Sequence, residues 1–224
     1  GKWNTFEKAN DLREGVIPDG QKFGMSSKTG TINQYGTYAA ISDKLERGAT
    51  FLYGQGTYSG KDTKVVLAAD ITVNEGEITA SSTDVRVWNP IGDNTNIFNG
   101  TFDGNGKTVS GLYYNNSENN YVGLFARVSE RGVVKNVTVT KSYFCGYYHV
   151  AGIVGLNEGT VTDCVNRAMM DCEGYSGGIV GNNQGNISNC LNYGTIHGSG
   201  NQGGIAGCNS GCVELCGNEG SIST

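Results

Sequence analysis

The sequence predicts an all-β fold: a right-handed parallel β-helix, three-sided, with about 26 residues per coil and a short N-terminal α-helical cap. Three observations predict it. The first is a repeat: Gly152-Ile153-Val154-Gly155 recurs as Gly178-Ile179-Val180-Gly181 and as Gly204-Ile205-Ala206-Gly207, with a step of 26 residues both times. The second is composition. The 224 residues include 36 glycines and only two prolines, which excludes collagen and disfavours helical bundles, where each interior glycine costs about 1 kcal/mol against alanine. The third is the pattern within each unit: three short apolar patches separated by Gly/Asn turns, and no run long enough for a repeat helix. Handedness follows the general preference of parallel crossover connections.

Residues 1–62 are expected to form the cap, with one or two short helices. Thr37 suits the N-cap of a helix through Tyr38–Arg47 that stops at Gly48, with Tyr38, Ile41 and Leu45 on one face. A weaker helix is expected over Thr5–Arg13. A lid of this kind would cover the unpaired edges at a β-helix end.

Residues 63–224 are expected to form the β-helix. Val65–Val73 reads as strand. Asp103-Gly104 and Asn105-Gly106 are turn signals between Phe102 and Val109. Repeats follow at 123–149, 150–175, 176–201 and 202–224. The first is looser, with Gly123-Leu124-Phe125-Ala126 in place of the later motif.

Identical positions of successive coils stack about 4.8 Å apart. Inward ladders are therefore expected along Ile153/Ile179/Ile205, Val161/Ile187/Val213, Cys164/Cys190/Cys216 and Met170/Ile196/Ile222, with Tyr143 aligned to Met170. Two asparagine series, Asn157/Asn183/Asn209 and Asn166/Asn192/Asn218, suit turn ladders, because asparagine tolerates left-handed geometry and stacked amides hydrogen-bond along the axis. The chain stops in mid-repeat at Ile222-Ser223-Thr224. This predicts a piece of a longer protein whose open C-terminal coil is available for end-to-end self-association.

A net charge of −5 gives no electrostatic footprint for nucleic acid. From Val150 onward Arg167 is the only cation, against Glu158, Asp163, Asp171, Glu173, Glu214 and Glu219. No apolar run approaches the roughly 20 residues of a membrane-spanning helix, so membrane insertion is not expected. No strand–glycine loop–helix unit follows Gly104-x-Gly106, so a nucleotide site is not expected either.

Of the seven cysteines, Cys164, Cys190 and Cys216 share one repeat position and are read as a reduced core ladder of thiols, which behave as small apolar side chains. Cys208, Cys212 and Cys216 lack a fourth nearby ligand, so no metal site is expected. Cys145/Cys172 and Cys208/Cys212 are candidate disulfide pairs. Asp84, Asp93 and Asp103 are candidate acids for a carbohydrate-active enzyme, but Asp103 is better explained by its turn, and the arginine-poor coils offer no cationic wall for an acidic polysaccharide.

Aromatic residues are the most telling exposed feature. Tyr113, Tyr114 and Tyr121 precede one unit, Tyr143, Phe144, Tyr147, Tyr148 and His149 the next, and Tyr175 the third. In register, several gather at one corner of successive coils. Tyrosine combines an apolar face with a polar tip, which suits sugar rings and protein partners. The candidate ligand-binding residues are Tyr113, Tyr114, Tyr121, Tyr147, Tyr148, His149 and Tyr175.

Trp88-Asn89-Pro90-Ile91-Gly92, followed by Phe98-Asn99-Gly100-Thr101-Phe102-Asp103-Gly104-Asn105-Gly106-Lys107 and then by the Gly-Leu-Phe-Ala and Gly-Ile-Val-Gly units, resembles GLUG-motif repeat proteins over about Val65 to Thr224. Ala126 departs from the usual glycine. The resemblance implies a secreted or surface-attached bacterial protein of a gut or mucosal species. Related repeats occur in streptococcal immunoglobulin A proteases, but the zinc-peptidase signature H-E-x-x-H is absent, and His149 and His197 stand apart from any such neighbours. The expected function is a non-catalytic module, secreted or at the cell surface, that binds a glycan or a host surface protein without a cofactor. The alternatives are a polysaccharide lyase or glycosidase, and a passive spacer.

Overall fold

The computed structural model describes residues 37–39, 64–67, 70–95 and 97–224. Within them every regular element is a strand, and successive strands pair in parallel as coils of a β-solenoid. In the coil at 150–175 these are β8 (Val150–Ala151), β9 (Val154–Asn157), β10 (Thr160–Thr162) and β11 (Val165–Cys172). The next coil repeats them as β12 (Ser176–Gly177), β13 (Val180–Asn183), β14 (Asn186–Ser188), β15 (Leu191–Asn192) and β16 (Thr195–Gly198). The last described coil carries β17 (Gln202–Gly203), β18 (Ala206–Asn209), β19 (Cys212–Glu214), β20 (Gly217–Asn218) and β21 (Ile222–Ser223).

Register converts the repeat into ladders. Val161 pairs with Ile187 and Ile187 with Val213, while Met170 pairs with Ile196 and Ile196 with Ile222. Ile153, Ile179, Val161, Ile187, Cys164, Cys190, Met170 and Ile196 are all buried in one continuous core, with Ile205 and Cys216 partly buried against it. Val213 and Ile222, on the last coil, are 37% and 46% exposed. The aligned pair at the aromatic end differs from the sequence expectation by one residue. Phe144 pairs with Met170 within the core cluster, whereas Tyr143 pairs with the exposed Met169 and is itself covered, at 3% exposure, outside that cluster. A register shift between Arg167 and Met169 takes up the difference.

Asn157, Asn166, Asn183 and Asn192 are buried in the stack, Asn209 and Asn218 on the last coil are exposed, and none of the six lies in a left-handed turn. Asn157 donates through Nδ2 to Asn183 Oδ1 (2.8 Å) and Asn183 to Asn209 (2.8 Å). Asn166 donates to Asn192 (2.8 Å) and Asn192 to Asn218 (2.7 Å). A left-handed corner that repeats from coil to coil falls at Asn136, Asp163, Asn189 and Leu215 instead. The first glycine of Gly-Ile-Val-Gly is required by this ladder. A Cβ at Gly152, Gly178 or Gly204 would overlap the side chain of Asn166, Asn192 or Asn218. The two repeated residue types are thus one packing solution.

The earlier coils are longer and less even. β4 (Thr101–Ser110) and β5 (Tyr113–Asn115) lie beside β7 (Val133–Gly146), and β6 (Phe125–Val128) lies beside β9. The Trp88–Ile91 segment closes the preceding coil: Trp88 Nε1 donates to Gly123 O (3.1 Å), and Ile91 bridges Phe125. Phe98 and Phe102 pack on Phe125 at centroid distances of 4.9 and 5.2 Å.

Thr37–Ala39, expected to start a helix, is strand β1, parallel to β2 (Lys64–Val66). Thr and Tyr favour strands, and pairing with Lys64–Val66 satisfies an edge of the sheet. The rest of the expected cap, including Thr5–Arg13 and residues 40–47, lies outside the described residues.

Candidate functional site

The aromatic corner is built by the short link between two strand columns. Gly146, Cys172 and Gly198 are register partners, as are Val150, Ser176 and Gln202. The links between them are Tyr147-Tyr148-His149, Glu173-Gly174-Tyr175 and Ser199-Gly200-Asn201. One coil earlier the link is longer and ends in Tyr121, just before Val122, which bridges Val150.

This register divides the expected site residues into three groups. Tyr121, His149 and Tyr175 form a file along the solenoid axis. The Tyr121 and His149 rings stack at 5.0 Å and 6°, and His149 lies 5.5 Å from Tyr175 at 32°. Arg127 caps the file, with its guanidinium carbon 5.6 Å from the Tyr121 centroid, and it also pairs with Glu158 at 3.3 Å. Tyr121 and His149 both adopt left-handed backbone angles, a conformation that bulky residues rarely take. The second glycine of the repeat permits it, because a Cβ at Gly155 or Gly181 would crowd the Tyr121 or His149 backbone. Burial, and then the Arg127 charge, hold the His149 imidazole below its ordinary pKa. His149 is therefore a neutral layer in a stack, and its faces are already covered.

Tyr147 and Tyr148 form the second group. Their rings meet edge to face at 4.4 Å, and they are 40% and 38% exposed. Their backbone is pinned on both sides. Tyr147 N–H donates to Asn119 O (2.7 Å), Gly174 N–H donates to Tyr147 O (2.8 Å), and Tyr148 N–H donates to Asn120 Oδ1 (3.1 Å). This pair holds open ring surface on a fixed frame.

Tyr113 and Tyr114 belong to a different wall. Tyr113 stacks on Tyr143 at 6.1 Å, and the Tyr114 hydroxyl accepts from Asn119 Nδ2 while its ring packs on the core. Sequence reasoning grouped all seven residues because they precede repeat units. It had no means to tell which rings would consume each other's faces.

The outward wall beside Tyr113 carries a polar line that the sequence reading did not single out. Cys145, Asp171, His197 and Ser223 are successive register partners. Asp171 lies 3.5 Å from His197 Nδ1, and the Tyr143 hydroxyl donates to it at 3.5 Å. Both Asp171 and His197 are about half exposed, so this is a surface contact of small energetic worth.

The other candidate residues have structural roles. Asp103 accepts from Asn105 N–H (2.9 Å) and Asn136 Nδ2 (3.0 Å) and pairs with Lys135 at 3.4 Å. Burial opposes its ionisation, yet these partners together hold its carboxyl below the ordinary value. Asp93 accepts from Thr95 N–H within its own turn, and Asp84 occupies a left-handed position. All seven cysteines are free. The expected Cys145–Cys172 pairing fails on register. Cys145 partners Asp171 and points outward, whereas Cys172 partners Gly146 and points inward. Burial pushes the Cys172 thiol up to about 11. Among the described residues no group of three or more His, Cys, Asp or Glu side chains is placed to hold a metal ion. No helix among them is long and apolar enough to cross a membrane.

No family profile matches the chain, so the GLUG assignment rests on the resemblance alone. No solved structure matches it either. Two curated sequences do. The chain is 45% identical over 56 residues to a protein of Evansella cellulosilytica named "Putative Gly-rich membrane protein", covering 25% of this chain and 6% of that protein. It is 35% identical over 91 residues to halomucin of Haloquadratum walsbyi, covering 38% of this chain and 1% of halomucin. The chain thus corresponds to a small part of two much longer proteins.

Proposed function

We propose that the chain is a non-catalytic surface module that binds glycans through the Tyr147–Tyr148 corner. Surface placement is supported by the names of the two relatives, "Putative Gly-rich membrane protein" and halomucin. The observation that carries the binding role is the pair of open tyrosine rings on a rigid corner, beside rings that are stacked shut. A sugar presents C–H faces to aromatic rings and hydroxyls to tyrosine tips. The stacked coils beneath hold this surface in place, so little ordering cost accompanies binding. A host protein is the other partner this surface suits.

The test is a glycan array probed with the wild-type chain and with Tyr147→Ala/Tyr148→Ala. Binding that is lost in the variant supports the reading. If no glycan is retained, the glycan reading falls and a spacer role replaces it; equal retention in both proteins removes the Tyr147–Tyr148 corner as the site.

A further inference from the structure

We infer that the glycan bound at this corner carries a free ammonium group, as a deacetylated amino sugar does, held over the open tyrosine rings and between the Glu118 and Glu173 carboxylates. The inference rests on the proposed glycan role of the corner and adds its charge selectivity.

The placement of the two carboxylates follows from backbone hydrogen bonds. Tyr147 N–H is bonded to Asn119 O, so Glu118 stands on the coil before, one residue from that bond. Tyr147 O accepts from Gly174 N–H, so Glu173 stands on the coil after, again one residue away. Glu173 and Tyr147 hold the same position of the link in adjacent coils, about 4.8 Å apart along the axis. Both carboxylates are exposed, and both raise the pKa of the Tyr147 phenol, after the larger effect of Tyr148. Neither has an ion-pair partner among the described residues. The nearby cation, Arg127, is committed to the far end of the aromatic file, with Glu158 and Asn94.

Glycine shapes the rest of the corner. A Cβ at Gly174 would overlap the Tyr148 ring, so the ring lies across the Gly174 backbone. The result is two tyrosines with open surface between two unpaired negative charges. A cation within about 6 Å of a tyrosine centroid is attracted by the ring quadrupole, and each carboxylate adds Coulomb attraction that salt weakens. A uronate or sialic acid would meet repulsion at the same place.

The test compares glucosamine oligomers with N-acetylglucosamine oligomers of equal length, by calorimetry at low and moderate salt, under mildly acidic conditions that keep the amine charged. The two ligands share their rings and differ in charge. The expected result is affinity for the charged oligomer at least about tenfold higher, reduced by salt. Glu118→Gln/Glu173→Gln should remove most of the difference, leaving the part due to the rings, whereas Glu214→Gln/Glu219→Gln, an equal charge change elsewhere, should keep it. Equal affinity for the two oligomers, or an equal loss in both charge variants, overturns the inference while the glycan reading stands. Binding of neither oligomer, with an empty array, removes both. Binding of an oligolysine peptide but not of glucosamine, with the same dependence on the two glutamates, overturns the amino sugar in favour of a basic protein partner.

Discussion

The coil at 176–201 and the coil at 202–224 share their glycine, isoleucine, cysteine and asparagine ladder positions, yet they differ in how those residues are buried. Ile196 and Cys190 are fully buried, whereas their partners Ile222 and Cys216 are 46% exposed and partly buried. Asn192 gives its amide to Asn218 Oδ1, and Asn218 gives its own only to Gly220 O within its coil. The ladder residues and their register are shared, so the difference lies in a described coil on both sides of residues 176–201 and on one side of residues 202–224. A coil of this solenoid does not hold itself together, and most of its stability resides in the contacts between coils.

The sharpest way to break that comparison is to truncate the same ladder in both places. Ile196→Ala leaves a cavity with coils on both sides and is expected to cost about 2–5 kcal/mol. Ile222→Ala is expected to cost less than about 1 kcal/mol, because much of its surface already meets water. Denaturant midpoints of the two variants decide it, and equal losses would refute the comparison.

A smaller effect is expected along the amide ladder. Asn192→Ala removes the bond to Asn218, strips the acceptor of Gly194 N–H, and leaves the Asn166 amide without its carbonyl partner. A loss of about 1–3 kcal/mol is expected. Asn218→Ala should lose clearly less, and hydrogen exchange at Gly194, whose N–H loses its side-chain acceptor only in Asn192→Ala, would separate the two variants.

The smallest effect concerns the corner. The folded pKa of His149 lies below its ordinary 6.5 because of burial and Arg127. The unfolded chain therefore binds the proton more readily. The contribution is fully present above the ordinary value and is lost as pH falls through the folded value. The thermal midpoint should fall between about pH 7 and 5, and His149→Phe should flatten that part of the curve.

How much was legible in the sequence follows from what the ladders constrain. Ile153, Ile179 and Ile205 recur because every coil meets the same neighbour, so their spacing announces the solenoid. The pairing of Phe144 rather than Tyr143 with Met170 was hidden, because a register shift of one residue leaves no mark in composition. The strand at Thr37–Ala39 was hidden by a helical pattern, since pairing with Lys64–Val66 is a distant contact that no local window contains. At the corner, the tyrosines were visible as residues but not as rings. Whether Tyr121 stacks on His149 or opens to water depends on backbone angles and on the room left by Gly155 and Gly181. Glu118 and Glu173 were not gathered with the tyrosines, because they come from different coils and converge only through the bonds of Tyr147.

The direction of the hydrogen bonds between coils has a mechanical consequence. They run along the long axis, as do the amide chains through Asn157–Asn183–Asn209 and Asn166–Asn192–Asn218. Tension along that axis therefore opens the bonds a few at a time, like a peeled seam, rather than loading a whole strand in shear. Each coil set free releases about 26 residues, or roughly 85–95 Å of extended chain. A protein built this way yields under load in repeated, recoverable increments, and its tyrosine corner stays folded until its own coil gives way.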